Sequence, residues 1–153
     1  MVATNPKLVQ AVVKAAKSLL GIHEDPDGSN ANTNDPRLHD IQSTTGAYGA
    51  PWCVSTGQKI AKVVYGHTMF DASANAYYCA SYSDKHGLTV PRPFAGGFVV
   101  YHIGQGHFGT VVSVHEDGTF DAIEGNEGNA VRLVHRDPKA IRCTFIVPKE
   151  LRV

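Results

Sequence analysis

The stretch Thr110-Val111-Val112-Ser113-Val114, followed by Asp117-Gly118 and then Thr119-Phe120-Asp121-Ala122-Ile123, decides how this chain folds. Two runs of β-branched and aromatic residues flank a dipeptide suited to a tight reversal, which is a strong hairpin signal. Working outward, Phe98-Val99-Val100-Tyr101, Ala130-Val131-Arg132-Leu133-Val134 and Ile141 to Val147 have the same composition. These runs predict a sheet of about five strands, all after Pro91-Arg92-Pro93.

Upstream of that proline pair the hydrophobic period changes. Asn5-Pro6 starts a helix, with Asn at the cap and Pro at the first helical position. Leu8, Val9, Val12, Val13, Ala16, Leu19 and Leu20 recur at helical spacing, the lysines fall on the other face, and Gly21 ends the run. Glu24 to Asp35 has turn chemistry throughout. Asp35-Pro36 caps a short helix through Ile41, a longer helix runs over 52–65 to Gly66, and another covers 72–82. Helices first and strands second predict an α+β architecture, with N-terminal helices packed on a C-terminal antiparallel sheet. The 153 residues suit a single domain over 1–153.

Lys plus Arg and Asp plus Glu both number 14, with no block of like charge. That argues against a nucleic-acid or acidic-membrane partner. Lys7, Gln10, Lys14 and Lys17 interrupt the apolar residues of the first helix, so it is not read as a signal peptide. No apolar run is long enough to span a membrane. Of the three cysteines at least one must be a free thiol, and none has zinc-site spacing. Cys79 and Cys143 are read as core cysteines, with a bridge between them left open.

Cys53 stands apart. It follows Ala50-Pro51-Trp52 where a helix begins, and Gly106-His107-Phe108-Gly109 and Glu124-Gly125-Asn126 follow downstream. A thiol at a helix N-terminus, an imidazole and an orienting carboxylate are the parts of a thiol hydrolase. Helix-end dipoles and a nearby imidazolium both favour thiolate, and the Cys53 N–H would be a free donor for an oxyanion. With a two-residue turn at Asp117-Gly118, Val111 falls opposite Glu124 and Gly109 opposite Asn126. His107, Glu124 and Asn126 then share one face. A three-residue turn would shift the pairing by one and break that agreement. His102 is the rival imidazole. His115 sits beside the turn, far from the strand end where the other groups collect.

These residues together resemble a CHAP domain, the cysteine/histidine-dependent amidohydrolase/peptidase of the papain-like and NlpC-like superfamily. Pro51-Trp52-Cys53, Gly106-His107-Phe108-Gly109-Thr110-Val111-Val112 and Glu124-Gly125-Asn126 carry the resemblance. Gly21-Ile22-His23-Glu24 and Pro26-Asp27-Gly28-Ser29-Asn30 resemble the loop before the cysteine in one branch of the family. The resemblance covers roughly residues 8 to 147. It implies a papain-like fold and a peptidoglycan hydrolase, either an N-acetylmuramoyl-L-alanine amidase or an endopeptidase. Cys53 matches the nucleophile, His107 the base, Glu124 the residue orienting the imidazole and Asn126 the accessory polar group. Glu124 in third place favours CHAP over NlpC.

On that reading the chain is a phage endolysin or virion-associated lysin module. It would be made in the cytoplasm and reach the bacterial cell wall by a separate route. Peptidoglycan is its partner and a monomer is expected. Many CHAP lysins carry a wall-targeting module after the catalytic one; this chain reaches Val153 with nothing left to bind a wall polymer, so it is expected to be a catalytic fragment, a virion-associated lysin delivered locally or an enzyme that binds through its own groove. Two alternatives stay open: an interbacterial wall-degrading effector, and a catalytically silent wall-binding module. Glu24, Ser29, Asn30 and Trp52 are candidate substrate contacts, and Trp52, Tyr77, Tyr78 and Tyr82 are candidate sugar-stacking or core aromatics. Glu127 is expected to be solvated. The chemistry needs no metal. Asp25, Asp27, Asn30, Asn32, Asn34 and Asp35 superficially resemble a calcium loop without matching its spacing. Calcium is admitted only because some phage CHAP domains bind it in this region.

Overall fold

Asn5 caps the first helix as its side chain allows: Oδ1 accepts from the N–H groups of Lys7 (3.0 Å) and Leu8 (3.4 Å). In the computed structural model, which describes residues 2–153, this helix α1 spans Pro6–Ser18 and buries Val12, Ala15 and Ala16. Asp35 caps α2, Pro36–Ser43, through the Arg37 N–H. Helix α3 is Cys53–Tyr65 and stops at Gly66 in the left-handed conformation (φ 83°). Helix α4 is Ala76–Lys85, starting later than the predicted residue 72. Phe70, Asp71 and Ala72 have φ of 53°, 56° and 55°, so the chain makes a left-handed turn there instead of a helix. The buried Gln58 amide holds that turn, donating to the carbonyls of Met69 (2.6 Å) and Ser73 (3.1 Å) and accepting from the Met69 N–H (2.7 Å).

The strands are β1 Thr89–Val90, β2 Phe98–Tyr101, β3 His107–Val114, β4 Phe120–Glu127, β5 Ala130–Arg136 and β6 Cys143–Ile146. They form one antiparallel sheet in the order β1-β6-β2-β3-β4-β5. The sheet therefore has six strands rather than about five; the added one is β1, too short to show a period of two. One face carries Phe98, Val100 and Phe108, packed with Val54, Ala61 and Cys79 of the helical layer. Ile123 and Val131 continue that face under Val12, Ala16 and Ile60. The other face holds Val99, Tyr101, Val111, Phe120, Ala122 and Phe145. Alternation along each strand thus covers the sheet on both sides.

Helix α3 is drawn unusually close to β3 and β4. A Cβ on Gly57 would lie 2.3 Å from the Phe108 ring, and one on Gly125 would lie 1.8 Å from Thr56 Oγ1. Neither position tolerates a side chain without separating helix from sheet. This contact sets the start of α3 against the beginning of β3. No helix among the described residues is long and apolar enough to cross a membrane.

Candidate active site

Cys53 is the first residue of α3. The residue before it, Trp52, offers no side-chain acceptor to cap the helix. The first intrahelical bond in this turn is Thr56 N–H to the Trp52 carbonyl, 3.1 Å. The N–H groups of Cys53, Val54 and Ser55 are among the unpaired donors of a helix start, so they face whatever occupies this end. The sulfur is nearly buried, with 9% exposure for the residue. It lines a cleft of about 590 Å³ walled by Ala47, Pro51, Asn75, Tyr77, Gln105 and Gly106. Every one of these residues is uncharged.

His107 opens β3 directly after Gly106. Its Nε2 meets Glu124 Oε1 at 2.8 Å, which leaves Nδ1 as the nitrogen free to serve the sulfur. No hydrogen bond joins Cys53 to His107 in this structure, but the sulfur is near enough to act on the charge of the imidazole. Burial disfavours the imidazolium, but the Cys53 sulfur and the Glu124 carboxylate outweigh it and raise the His107 pKa to about 10. The Tyr101 ring stacks beside the imidazole, with centroids 5.7 Å apart.

Glu124 is fully buried, so its charge needs compensation. Arg136 supplies it: Nη2 donates to Oε1 (2.6 Å) and Nε to Oε2 (3.1 Å), a two-pronged contact. Burial pushes the Glu124 pKa upward, yet hydrogen bonds from His107 and Arg136 override it and keep the group ionised. The guanidinium also lies over the Tyr101 ring, 5.0 Å from its centroid. The Tyr101 hydroxyl is buried with no aligned partner, and burial raises its pKa, so it stays neutral. Glu127 Oε2 stands 3.3 Å from His107 Nε2 and 3.4 Å from Arg136, so it joins the cluster while its side chain stays 37% exposed to solvent.

The route by which His107 reaches Glu124 differs from the expected one. The reversal is a three-residue loop, with His115 pairing to Thr119 and Gly118 left-handed at φ 88°. That shifts the register by one. A bulge between Val111 and Ser113 shifts it by one more, so Val111 pairs with Ala122 and Thr110 with Ile123. Two single shifts restore the original face. Gly109 then lies opposite Glu124, and a Cβ there would come within 3.0 Å of Glu124 Cγ.

The other expected residues fall elsewhere. Asn126 sits in the β4–β5 bulge with φ 57°, half-buried, and its side chain bonds to neither His107, Glu124 nor Cys53. Trp52 and Glu24 are core residues, not substrate contacts: both are essentially unexposed, and the indole N–H donates to Glu24 Oε2 at 3.1 Å. Asn30 donates its N–H to Glu24 Oε1 (2.6 Å), and Ser29 Oγ bonds within its own loop to Ala31. Together these four brace the loop over 21–35, which Gln42 ties to the segment before α3 through the Asn30 and Ala50 carbonyls. His102 engages Thr144 Oγ1 at 2.7 Å, and His115 engages Asp121. Cys79 and Cys143 are free thiols whose pKa values burial pushes up to about 12 and about 11.

In the loop over 25–35, three of the residues that resemble calcium ligands bond to their own neighbours. Asp35 gives both oxygens to Arg37, Asn32 Oδ1 accepts the N–H groups of Asn34 and Asp35, and Asp25 accepts from Asn34. Arg136 was the member of the site that sequence reading missed. No family model, curated protein or solved structure matches the chain.

Proposed function

We propose that this chain is a cysteine amidohydrolase of the papain-like CHAP type, cleaving an amide bond of bacterial peptidoglycan. One observation carries the chemistry: a thiol at an uncapped helix start beside an imidazole whose far nitrogen is held by a buried, arginine-clamped carboxylate. The wall substrate rests on the sequence resemblance. The uncharged cleft around Cys53 agrees with a neutral amide segment of a stem peptide or cross-bridge.

The proton of Cys53 passes to His107 Nδ1, giving a thiolate and an imidazolium. The thiolate attacks the carbonyl carbon; a C–S bond forms and the carbonyl π pair moves to oxygen. The free N–H of Cys53 donates to that oxyanion. When the tetrahedral intermediate collapses, the C–N bond breaks and His107 gives its proton to the leaving amine. Water then attacks the thioester while His107 accepts its proton, and release of the acid restores the thiol. Glu124 holds the tautomer and orientation of His107 throughout, and Arg136 holds Glu124.

Digestion of purified peptidoglycan, followed by mass analysis of the fragments, tests this. The expected products carry one new amine per cleavage, and their masses identify the bond. Undiminished digestion by a folded Cys53→Ala protein would discard the reading.

A further inference from the structure

A second histidine–carboxylate grouping lies at the turn end of the same hairpin. Ser113 pairs with Asp121 across β3–β4, and Asp121 pairs with His135 across β4–β5, so the three share a face. His115, two residues beyond Ser113, leans onto the same carboxylate. His135 Nδ1 lies 2.8 Å from Asp121 Oδ1 and His115 Nε2 lies 3.0 Å from Oδ2. Ser113 Oγ donates to Oδ2 at 2.8 Å. The imidazole rings are 5.3 Å apart, centroid to centroid. Asp121 and Glu124 are three residues apart on β4, hence on opposite faces, so this grouping is separate from the active site.

We propose that His115, Asp121 and His135 bind a divalent first-row metal ion of the zinc type. The ligand set is two imidazole nitrogens and one carboxylate, the donors that zinc and its neighbours take and that calcium and magnesium do not prefer. All three ligand atoms lie within 4.8 Å of one another. A tetrahedral ion with bonds of about 2.0–2.1 Å separates its ligands by roughly 3.3 Å. The imidazoles contact different oxygens of Asp121, at 2.8 Å and 3.0 Å, so the carboxylate turns to present one oxygen to the ion. The two imidazoles close on each other by rotation of half-exposed side chains. Ser113 orients the carboxylate as an outer partner, a role that typically tunes metal affinity. Three ligands leave the outward position to water. The ion would fasten β3, β4 and β5 together at the turn end of the hairpin.

The other three-ligand grouping, His107 with Glu124 and Glu127, is a poorer site because Arg136 already occupies oxygens of both carboxylates. The proposal does not depend on the hydrolase reading. It is tested by titrating Zn²⁺, and Co²⁺ as a visible reporter, into tag-free chain carrying Cys53→Ala to remove the thiolate as a ligand. One equivalent should bind, with a tetrahedral Co²⁺ spectrum and a rise in melting temperature. His135→Gln and His115→Ala should each weaken binding at least about 100-fold, and Ser113→Ala about 10–100-fold. Both histidines are half-exposed, so each variant should keep the parent circular dichroism. Absence of binding, or binding unchanged in His135→Gln and lost in His107→Ala, overturns the proposal.

Discussion

The β3–β4 hairpin carries a histidine–carboxylate pair at each end, and the two are built for different work. At the strand-start end, His107 and Glu124 are 2.8 Å apart, the carboxylate has no exposure, and Arg136 clamps it. At the turn end, His115, His135 and Asp121 lie at similar distances, but the imidazoles are 41% and 60% exposed and no arginine intervenes. Contact distance is nearly the same; burial and the countercharge differ. A buried, clamped carboxylate cannot leave its imidazole without stranding a charge, so it fixes geometry. A partly exposed one between exposed imidazoles can be shared or displaced, so it serves as a ligand.

The largest effect should come from the thiol at the buried end. Cys53→Ala should reduce amide cleavage by on the order of 10⁶-fold, as loss of a nucleophile does in a cooperating set. His107→Ala should cost about 10²–10⁴-fold or more through general acid–base catalysis alone. Cys53→Ala should unfold at close to the parent midpoint, whereas His107→Ala should stay folded with a lower midpoint, because it takes an ion-pair partner from the buried Glu124. Fragment release measured by mass spectrometry, beside a thermal melt, checks the pair. If Asp121→Asn produced the larger loss, the two ends would have been assigned the wrong way round.

Arg136→Met sharpens the comparison through stability. It strands Glu124 in the core, and breaking a buried ion pair costs about 3–5 kcal/mol. His115→Ala, at the turn end, should change stability by less than about 1 kcal/mol in the absence of metal. Urea unfolding of the two variants reads the difference directly. Equal values would mean that burial does not distinguish the ends.

The pH response follows from the same contrast. The His107 pKa rises from 6.5 to about 10 on folding. A group raised in this way contributes fully below its unfolded value and loses its contribution as pH climbs toward the folded one. Glu124 moves the other way from 4.5, so its contribution is present above that value and fades in acid. The stability difference between the parent and His107→Gln should therefore be largest between about pH 4.5 and 6.5 and shrink by pH 10. Urea midpoints at pH 6 and pH 9.5 test it; a difference that grows with pH would contradict the ion-pair assignment.

The architecture was readable because its signals are local. Asn5-Pro6 and Asp35-Pro36 announce helix starts through chemistry within three residues, and the structure uses both caps. The period-two runs of the second half became strands, although His107 and Glu124 lie beyond the apolar stretches that marked them. What stayed hidden was non-local. The Phe70–Ala72 turn depends on the Gln58 amide reaching across from α3, which no window of sequence displays. Arg136 reaches Glu124 from the far end of the next strand, and extending β5 beyond Val134 was the only cue to it. The hairpin register is the instructive case. The expected turn was one residue too short, and the bulge at Val112 was not foreseen. Face assignment survived because two single-residue shifts restore parity, whereas the predicted partner of each residue did not.

Asn126 gives the finest test, because the sequence placed it with the buried end while its side chain makes no bond there. Its backbone is left-handed, with φ 57°, a conformation that glycine adopts without strain. Asn126→Gly therefore removes the amide while leaving the turn in place. Alanine would add backbone strain and blur the result. If the amide is outside the catalytic set, cleavage should change by no more than about twofold, corresponding to about 0.5 kcal/mol. A loss of about 10²-fold with unchanged stability would identify the amide as an oxyanion donor that swings in only when substrate fills the cleft. Catalysis would then draw on the β4–β5 bulge as well as on the clamped carboxylate, and the buried end would include a movable part.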